Sequence, residues 1–321
     1  MNKYRVYWSD REGTLPPPDC TFPLFPFSSK EGISPLTIQQ ALSCPCRIKV
    51  LKKTYWPSQE QWRRSVTKAL QWIHEGKLQK VVLARSCRLE LEKAPDPFSI
   101  TAALKEKAEG AFVFCFQSGT QAFLGATPER LFVRKGRRIT SEAIAGTRKR
   151  GETPAEDHCL QEVLLKSQKD LQELTPVQTY LQHTLSPLCT RPLSFSPISV
   201  HQTNNVQHLY SQCIGELKVP VTDEEIVKTL HPTPALCGMP KQTAYTLIHE
   251  EEPFERGLYG GALGWRSTDA AEYIVGIRSC LVQGSTATLF SGAGIVKDSN
   301  AEDEWDELNQ KIRLYEGILD H

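Results

Sequence analysis

The sequence carries almost no excess of either charge. Lysine and arginine number 38 and aspartate and glutamate 37, so the formal net charge is +1 at pH 7. Proteins that bind nucleic acid usually concentrate positive charge, so this balance argues against a nucleic-acid partner. Hydrophobic residues make up 40% and charged residues 23% of the 321 residues, which is ordinary for a folded globular chain.

Long hydrophobic runs are also missing. The longest apolar stretches, 81–84 and 111–116, have the length of strands and fall far short of the ~20 residues that a membrane helix needs. Residues 1–5 bring charges without a following apolar stretch, so a signal peptide is not predicted. We therefore expect a cytoplasmic protein with no membrane partner.

Common cysteine, histidine and glycine motifs are absent as well. The ten cysteines include no Cys-x-x-Cys pair and only Cys44 and Cys46 lie close together, which predicts reduced and mostly buried thiols. His201, His208 and His231 lack the spacing of metal ligands. The chain contains no Walker-type loop, dinucleotide fingerprint or Gly-x-Ser-x-Gly, so nucleotide binding is not expected.

The sequence does contain many strands joined by tight turns. Glycine-bearing turns at 118–120 and 135–136 predict two hairpins. Because helices do not alternate regularly with the strands, we expect an α+β fold with antiparallel-rich sheets and not a doubly wound parallel sheet. The other predicted strands are 4–8, 78–91, 257–266, 273–282 and 286–290.

Three helices are indicated by apolar residues at helical spacing. The first begins at Ser58, which forms a predicted capping box with Gln61. The second covers 155–174. The last begins at Ser299, with Glu302 completing the box.

Two carboxylates on the last helix are candidate metal ligands. Glu304 and Glu307 are three residues apart and so share one side of the helix. Residues 291–294 precede them and read as a glycine-bearing turn whose free N–H groups can meet an anion. Two carboxylates beside such a turn suit Mg²⁺, which binds only a few protein oxygens and fills its other positions with water or substrate oxygens. The alternative, favoured by this segment alone, is that acidic residues simply match the helix dipole.

Lys80, Glu129 and Gly146 are candidate site residues, although for Lys80 and Glu129 taken alone the purely structural interpretation is favoured. Lys80 opens an apolar strand, either as a charge that protects a sheet edge or as a base with a lowered pKa. Glu129 follows a strand and a proline, either as a general acid or as a solvated partner of Arg130. Gly146 allows a ligand to approach the backbone closely, or belongs to an ordinary loop.

Taken together and in chain order, these segments resemble the chorismate-utilising enzymes, and among them the isochorismate synthases. The resemblance covers 80–311, about three quarters of the chain. The matching segments are 80–85, 125–131, 141–147, 169–173, 230–235, 256–265, 277–279 and 292–307.

The resemblance implies an α/β sandwich of large antiparallel-rich sheets flanked by helices, with the active site in a deep cleft and Mg²⁺ as cofactor. Residues 1–57 would form a shortened N-terminal segment that contributes to the sheet. Residues 58–321 would form the chorismate-binding catalytic domain, and the whole chain one structural domain.

The implied reaction is the reversible conversion of chorismate to isochorismate. Water adds at C2 and the C4 hydroxyl leaves, with Lys80 as general base and Glu129 as general acid. Arg278 and the backbone amides near Gly146 and Gly261 would hold substrate carboxylates. The implied metal residues are Glu173, Glu304 and Glu307. The implied substrate-binding residues are Gly146, Thr147, His231, Ala235, Leu236, Tyr259, Gly261, Arg278, Gly292, Gly294 and Lys311.

Two positions narrow the subgroup that the chain resembles. Anthranilate synthases carry glutamine where Lys80 stands, and aminodeoxychorismate synthases carry lysine where Ala145 stands, so a water-using enzyme is indicated. Salicylate synthases share both features and are the alternative. A non-catalytic homologue is a further alternative, because residues 171–174 depart from the family pattern Lys-Asp-Arg-His-Glu-His.

We expect no glutamine amidotransferase subunit and a monomer or weak homodimer. Whether the product feeds menaquinone, a siderophore or salicylate is left open.

Overall fold

The computed structural model describes residues 4–28, 48–202 and 206–319. The chain divides into two compact units. The first unit comprises Met1–Glu129, Pro232–Leu263 and Val275–His321, and the second unit comprises Arg130–His231 and Gly264–Ile274. The first unit is therefore assembled from three separate stretches of chain.

Strands and helices in the described residues are numbered in chain order. The strands are β1 (Tyr4–Ser9), β2 (Leu24–Phe25), β3 (Val50–Trp56), β4 (Lys80–Leu91), β5 (Phe112–Ser118), β6 (Gln121–Thr127), β7 (Arg130–Lys135), β8 (Arg138–Lys149), β9 (Ser194–Phe195), β10 (Ser199–Gln202), β11 (Val206–Glu216), β12 (Gly238–Met239), β13 (Ala262–Arg266), β14 (Ala270–Val275), β15 (Ser279–Gln283) and β16 (Thr286–Ile295). The helices are α1 (Gln59–His74), α2 (Pro97–Lys107), α3 (Pro154–Lys166), α4 (Gln168–Leu185), α5 (Asp223–Leu230), α6 (Lys241–Glu251) and α7 (Ala301–Leu319).

The first unit is built on a sheet of eight strands in the order β1-β5-β6-β15-β16-β4-β12, with β3 also pairing with β4. These pairings are antiparallel, as the sequence predicts. Alternate residues of β4, such as Cys87 and Leu89, share a core with Phe98 of α2 and Ile312 of α7. Burial of each leucine, isoleucine or phenylalanine side chain in this core contributes about 1.5–3 kcal/mol.

The second unit carries a sheet in the order β10-β11-β8-β7-β14-β13, with β9 also pairing with β11. Strand β8 pairs with β7 and β11 in antiparallel fashion. The helix predicted over 155–174 is two helices, because α3 ends at Lys166 and α4 begins at Gln168. Ser167 has extended backbone and its hydroxyl accepts a hydrogen bond from the amide of Asp170, so it caps α4 and interrupts the helix.

The helix caps were predicted with mixed success. The capping box of Ser58 and Gln61 at the start of α1 is confirmed. At the start of α7 the cap is Asn300 and not Ser299, because the Asn300 side chain accepts hydrogen bonds from the amides of Glu302 and Asp303. The Ser299 hydroxyl instead donates a hydrogen bond to the carboxylate of Glu304.

Three predicted strand boundaries are corrected. The strand predicted over 257–266 begins only at Ala262, because residues 256–261 form turns. The strand predicted over 273–282 is two strands, β14 and β15, which belong to different sheets and are separated at 276–278. Residues 291–294 are not a turn, since β16 runs to Ile295 and pairs with β4 throughout.

The described cysteines are free thiols, and all except Cys159 are buried, which confirms the prediction for that part of the chain. Cys44 and Cys46 lie outside the described residues. Among the described helices, none is long and apolar enough to cross a membrane.

Candidate active site

Lys80 lies inside the first sheet and not at its edge. It pairs with Met239 of β12 on one side, while the next residue of β4 pairs with Ile295 of β16 on the other. Its side chain runs over Gly294 of β16, where an added Cβ would lie 2.8 Å from Lys80 Cε and 3.3 Å from Nζ. The lysine is half-buried and uses space that only glycine leaves open. An edge-protecting role does not account for this position.

Gly292 lies two residues before Gly294 and therefore on the same face of β16. An added Cβ on Gly292 would lie 2.7 Å from the hydroxyl oxygen of Tyr259. Burial raises the pKa of Tyr259 well above its usual range, so this hydroxyl keeps its proton. The carbonyl of Gly292 accepts a hydrogen bond of 2.6 Å from Nζ of Lys311. The two glycines thus form a partly exposed strip with a hydroxyl and two amines around it.

Arg278 stands in the turn between β14 and β15. Its φ of +48° is in the left-handed region, which costs a non-glycine residue about 1–2 kcal/mol. Its carbonyl holds this conformation by accepting hydrogen bonds from the Tyr315 hydroxyl at 2.5 Å and from the Ala126 amide at 3.1 Å. The backbone of Gly276 in the same turn exchanges hydrogen bonds with Gly260 and Gly261. Arg278 and the 256–261 turns are therefore held together.

The Arg278 side chain is accessible to water, yet desolvation by surrounding protein lowers its pKa, while the charge of Glu307 opposes the shift. Because the side chain is exposed, the guanidinium can contact solutes. Arginine stays charged even when its pKa falls. The planar guanidinium can therefore hold a carboxylate through two parallel hydrogen bonds.

Strand β6 ends at Thr127, and Glu129 follows after Pro128. Its amide donates to the Thr127 hydroxyl at 3.3 Å, and its carbonyl accepts from the Val275 amide at 3.0 Å, which fixes the backbone on both sides. The half-buried carboxylate lies close enough to Tyr259 for its charge to raise the tyrosine pKa. Glu129, Tyr259 and Arg278 therefore lie in one neighbourhood of the first unit. Arg130 is bonded to Glu142 and Glu272 of the second unit.

Glu304 and Glu307 lie on the first turns of α7. The Ser299 hydroxyl donates to Glu304 at 2.7 Å, and Lys311 forms an ion pair with Glu307. Burial, and to a lesser degree the charge of Glu307, raises the pKa of Glu304. A divalent cation offsets both effects, so these two carboxylates fit Mg²⁺, which takes one or two protein carboxylates and keeps several waters.

A complete metal cluster is not seen. Within the described residues, no group of three His, Cys, Asp or Glu side chains is placed to hold a metal ion. The backbone of Glu173 lies in α4 of the second unit, but its side chain lies outside the described part of the structure. Its predicted role at the metal stays a prediction.

Gly146 and His231 lie in the second unit. Gly146 has a φ of +64°, and its carbonyl is hydrogen-bonded to Nδ1 of His208 at 3.0 Å. The group that approaches it closely is the carboxylate of Asp170, 2.7 Å from where a Cβ would stand. His231 is buried at the C-terminal end of α5. The side chain of Thr147 lies outside the described residues.

Ala235 and Leu236 lie in the first unit between α5 and β12. Ala235 is exposed and Leu236 is buried. Sequence reasoning missed Tyr315 of α7, whose hydroxyl donates a hydrogen bond to the Arg278 carbonyl. It also missed Glu252 and Arg256 as a pair, for which the spacing of four residues is the available signal.

Comparison with known proteins decides the family. The profile of the family described as chorismate binding enzyme matches residues 33–319. The chain belongs to the chorismate-binding enzymes. This confirms the resemblance read from the sequence and the predicted fold class.

Curated relatives of this chorismate-binding enzyme include several isochorismate synthases. The chain is 40% identical over 276 residues to isochorismate synthase 2, chloroplastic, of Arabidopsis thaliana, covering 85% of this chain and 49% of the relative. It is 34% identical over 255 residues to isochorismate synthase MenF of Bacillus subtilis, covering 79% and 54%. The chain thus spans about half the length of these relatives.

Solved structures of the family share the fold of this chorismate-binding enzyme. The menaquinone-specific isochorismate synthase MenF of Escherichia coli superposes with a TM-score of 0.89 over 98% of this chain and 88% of that chain, at 24% identity. A structure described as the putative 2,3-dihydroxybenzoate-specific isochorismate synthase DhbC of Bacillus anthracis gives a TM-score of 0.80 over 93% and 83%, at 30% identity.

Proposed function

We propose that this chorismate-binding enzyme is an isochorismate synthase that converts chorismate reversibly to isochorismate. The position of Lys80, inside the sheet and over Gly294, carries the proposal. An amine held beside a partly exposed glycine strip is suited to take a proton from water, and the named relatives support the same reaction.

The chemistry divides between two groups in the first unit. Lys80, in its neutral form, accepts a proton from a water molecule whose oxygen forms the new bond at C2 of chorismate. The ring double bonds shift and the C4–oxygen bond breaks. Glu129, in its protonated form, gives its proton to the departing hydroxyl, which leaves as water. One water enters and one leaves, so atoms and charge balance, and the reverse reaction uses the same groups in exchanged roles.

The remaining groups bind and orient the substrate. Arg278 offers its guanidinium to one carboxylate of chorismate, and Tyr259 offers a protonated hydroxyl beside it. Glu304 and Glu307 would hold Mg²⁺, which when bound neutralises the ring carboxylate of the substrate. The roles of Gly146, Thr147, His231, Ala235, Leu236, Gly261, Gly292, Gly294 and Lys311 in substrate binding, and of Glu173 at the metal, stay predictions of the resemblance.

The test is to incubate the protein with chorismate and MgCl₂ and to separate the products by chromatography. We expect isochorismate to accumulate, chorismate to re-form from purified isochorismate, and EDTA to stop turnover. Lys80→Gln should lose isochorismate formation, because glutamine cannot accept the proton. Lys77→Gln is the matched control, since Lys77 is exposed and bonded to Glu75.

Wild-type turnover by Lys80→Gln would refute the role of Lys80. Stoichiometric pyruvate in a coupled lactate dehydrogenase assay, together with salicylate fluorescence, would instead identify a salicylate synthase. Because the attacking group is water and not ammonia, we propose that no amidotransferase subunit takes part. The cytoplasmic location and the monomeric or weakly dimeric state stay predictions.

A further inference from the structure

A buried ion pair lies in the first unit among residues to which the resemblance gives no role. The side chains of Glu252 and Arg256 are each only 4% exposed. Nε of Arg256 donates to Oε2 of Glu252 at 2.8 Å, and the guanidinium carbon lies 4.2 Å from the centre of the Phe27 ring. Removing two charges from water is costly, and an apolar pair is often as stable. The demands of packing alone do not explain these residues.

The pair fills a gap along one side of β4. This side pairs with β12 at the start of the strand, and with β3 from Ser86 onwards. Between these points the carbonyl of Val82 accepts from Nη2 of Arg256 at 2.7 Å, and the amide of Ala84 donates to Oε1 of Glu252 at 2.8 Å. The two side chains therefore provide the hydrogen bonds that a neighbouring strand would provide.

The same pair also reaches two other segments. Nη1 of Arg256 donates to the carbonyl of Leu236 at 2.9 Å. The carbonyl of Arg256 accepts from the amide of Tyr259 at 2.9 Å, in the first of the turns that precede β13. Arg256 thus connects three segments: its guanidinium bonds the strand that begins with Lys80 and the segment that contains Leu236, and its own backbone belongs to the turn that carries Tyr259.

We propose that Glu252 and Arg256 are positioning residues for the isochorismate synthase reaction. They hold the backbone of β4, from which Lys80 projects, in register with the turn that presents Tyr259. This role rests on the proposed function. It predicts that disturbing the pair slows the proton-transfer step much more than it weakens substrate binding.

The test compares two Arg→Lys variants. Lysine keeps the charge of Arg256, but its three N–H groups share one nitrogen and cannot reproduce the planar fork that reaches Glu252, Val82 and Leu236. We expect Arg256→Lys to lower kcat by ~10²-fold with a smaller change in KM, since an error of about 1 Å in a reacting group has effects of that size. Amide hydrogen exchange at Ala84 should become faster.

The matched control is Arg134→Lys in the second unit. Arg134 bonds Asp223 through two nitrogens at 2.6 and 3.0 Å, and the Gly136 carbonyl through the third at 3.1 Å. The resemblance assigns neither partner to the site. This variant removes a partly buried fork that also uses all three guanidinium nitrogens, so it should lower thermal stability while leaving kcat unchanged.

If Arg256→Lys does not fold, the double variant Glu252→Gln with Arg256→Met replaces it, because it buries no charge and keeps an oxygen for the Ala84 amide. We expect this variant to fold and to lose kcat. Wild-type kcat in either folded variant, an equal loss of kcat in Arg134→Lys, or a double variant that does not fold would each overturn the positioning role. Wild-type protein that forms no isochorismate would reject the proposed function instead, and the exchange rate at Ala84 tests the pair without turnover.

Discussion

Replacing Gly294 by alanine should separate the activity of the enzyme from its stability. The new Cβ would lie 2.8 Å from Cε of Lys80, whereas carbon atoms in contact keep about 3.5–4.0 Å between them. The lysine must therefore move by about 1 Å. Because Cε is near the free end of a flexible side chain, this movement does not require the backbone of either strand to shift.

The two consequences differ in size. Alanine gains roughly 0.5–1 kcal/mol over glycine within a strand, and an altered lysine rotamer costs roughly 0.5–1.5 kcal/mol. The free energy of unfolding should therefore change by no more than about 1 kcal/mol. A displacement of about 1 Å in a proton-accepting group lowers the rate by up to ~10²-fold. That corresponds to about 2.7 kcal/mol in the activation free energy.

The assay is kcat for isochorismate formation at 25 °C, measured beside thermal unfolding by circular dichroism. The matched control is Gly317→Ala in α7, where nothing lies within 4 Å of the added Cβ. It should stabilise the helix by up to about 1 kcal/mol and leave kcat unchanged. A folded Gly294→Ala variant with wild-type kcat would refute the assignment of Lys80 as the base at this position.

Two further predictions concern backbone strain and pH. Arg278→Gly should be more stable than Arg278→Ala by about 1 kcal/mol, because only glycine adopts a φ of +48° freely, while both variants should raise KM for chorismate. Equal unfolding temperatures would contradict this strain. The Arg150 guanidinium and the Gly151 amide lower the pKa of Asp157 from 3.8 to about 2, so its stabilising effect is present above about pH 4 and lost as pH falls towards 2. In urea titrations Asp157→Asn should be less stable than wild type at pH 7, with the difference shrinking below pH 4; a constant difference would contradict the ion pair.

The sequence predicted well those elements whose signals are local. The hairpins and the capping box of Ser58 depend on residues within a few positions of each other, and both are present. It failed where a distant contact decides. Residues 273–282 read as one strand, but hydrogen bonds from Tyr315 and Ala126 to the Arg278 carbonyl hold a bend at 276–278, after which the chain joins another sheet.

The candidate site shows the same division. Gly292 and Gly294 read as a turn because glycine is typical of turns. Their actual reason lies in the side chains of Lys80 and Tyr259, which use the space above the strand. That reason involves residues far apart in sequence, so no local pattern reveals it. The resemblance to a family pointed to Gly292 and Gly294, and the structure explains physically why both positions are glycine.

The first unit is made of three separate stretches of chain, so it cannot fold completely until the last stretch has been translated. Its core joins Tyr7 near one end of the chain to Leu319 near the other. Strand β6 ends at Thr127, 192 residues before Leu319 (319 − 127), so at 5–20 residues per second a ribosome needs roughly 10–40 s to supply the missing helix. During that time the apolar face of the nascent sheet is uncovered, whereas most of the second unit is one continuous stretch that emerges earlier. The nascent chain should therefore depend on chaperones that shield strands until α7 arrives.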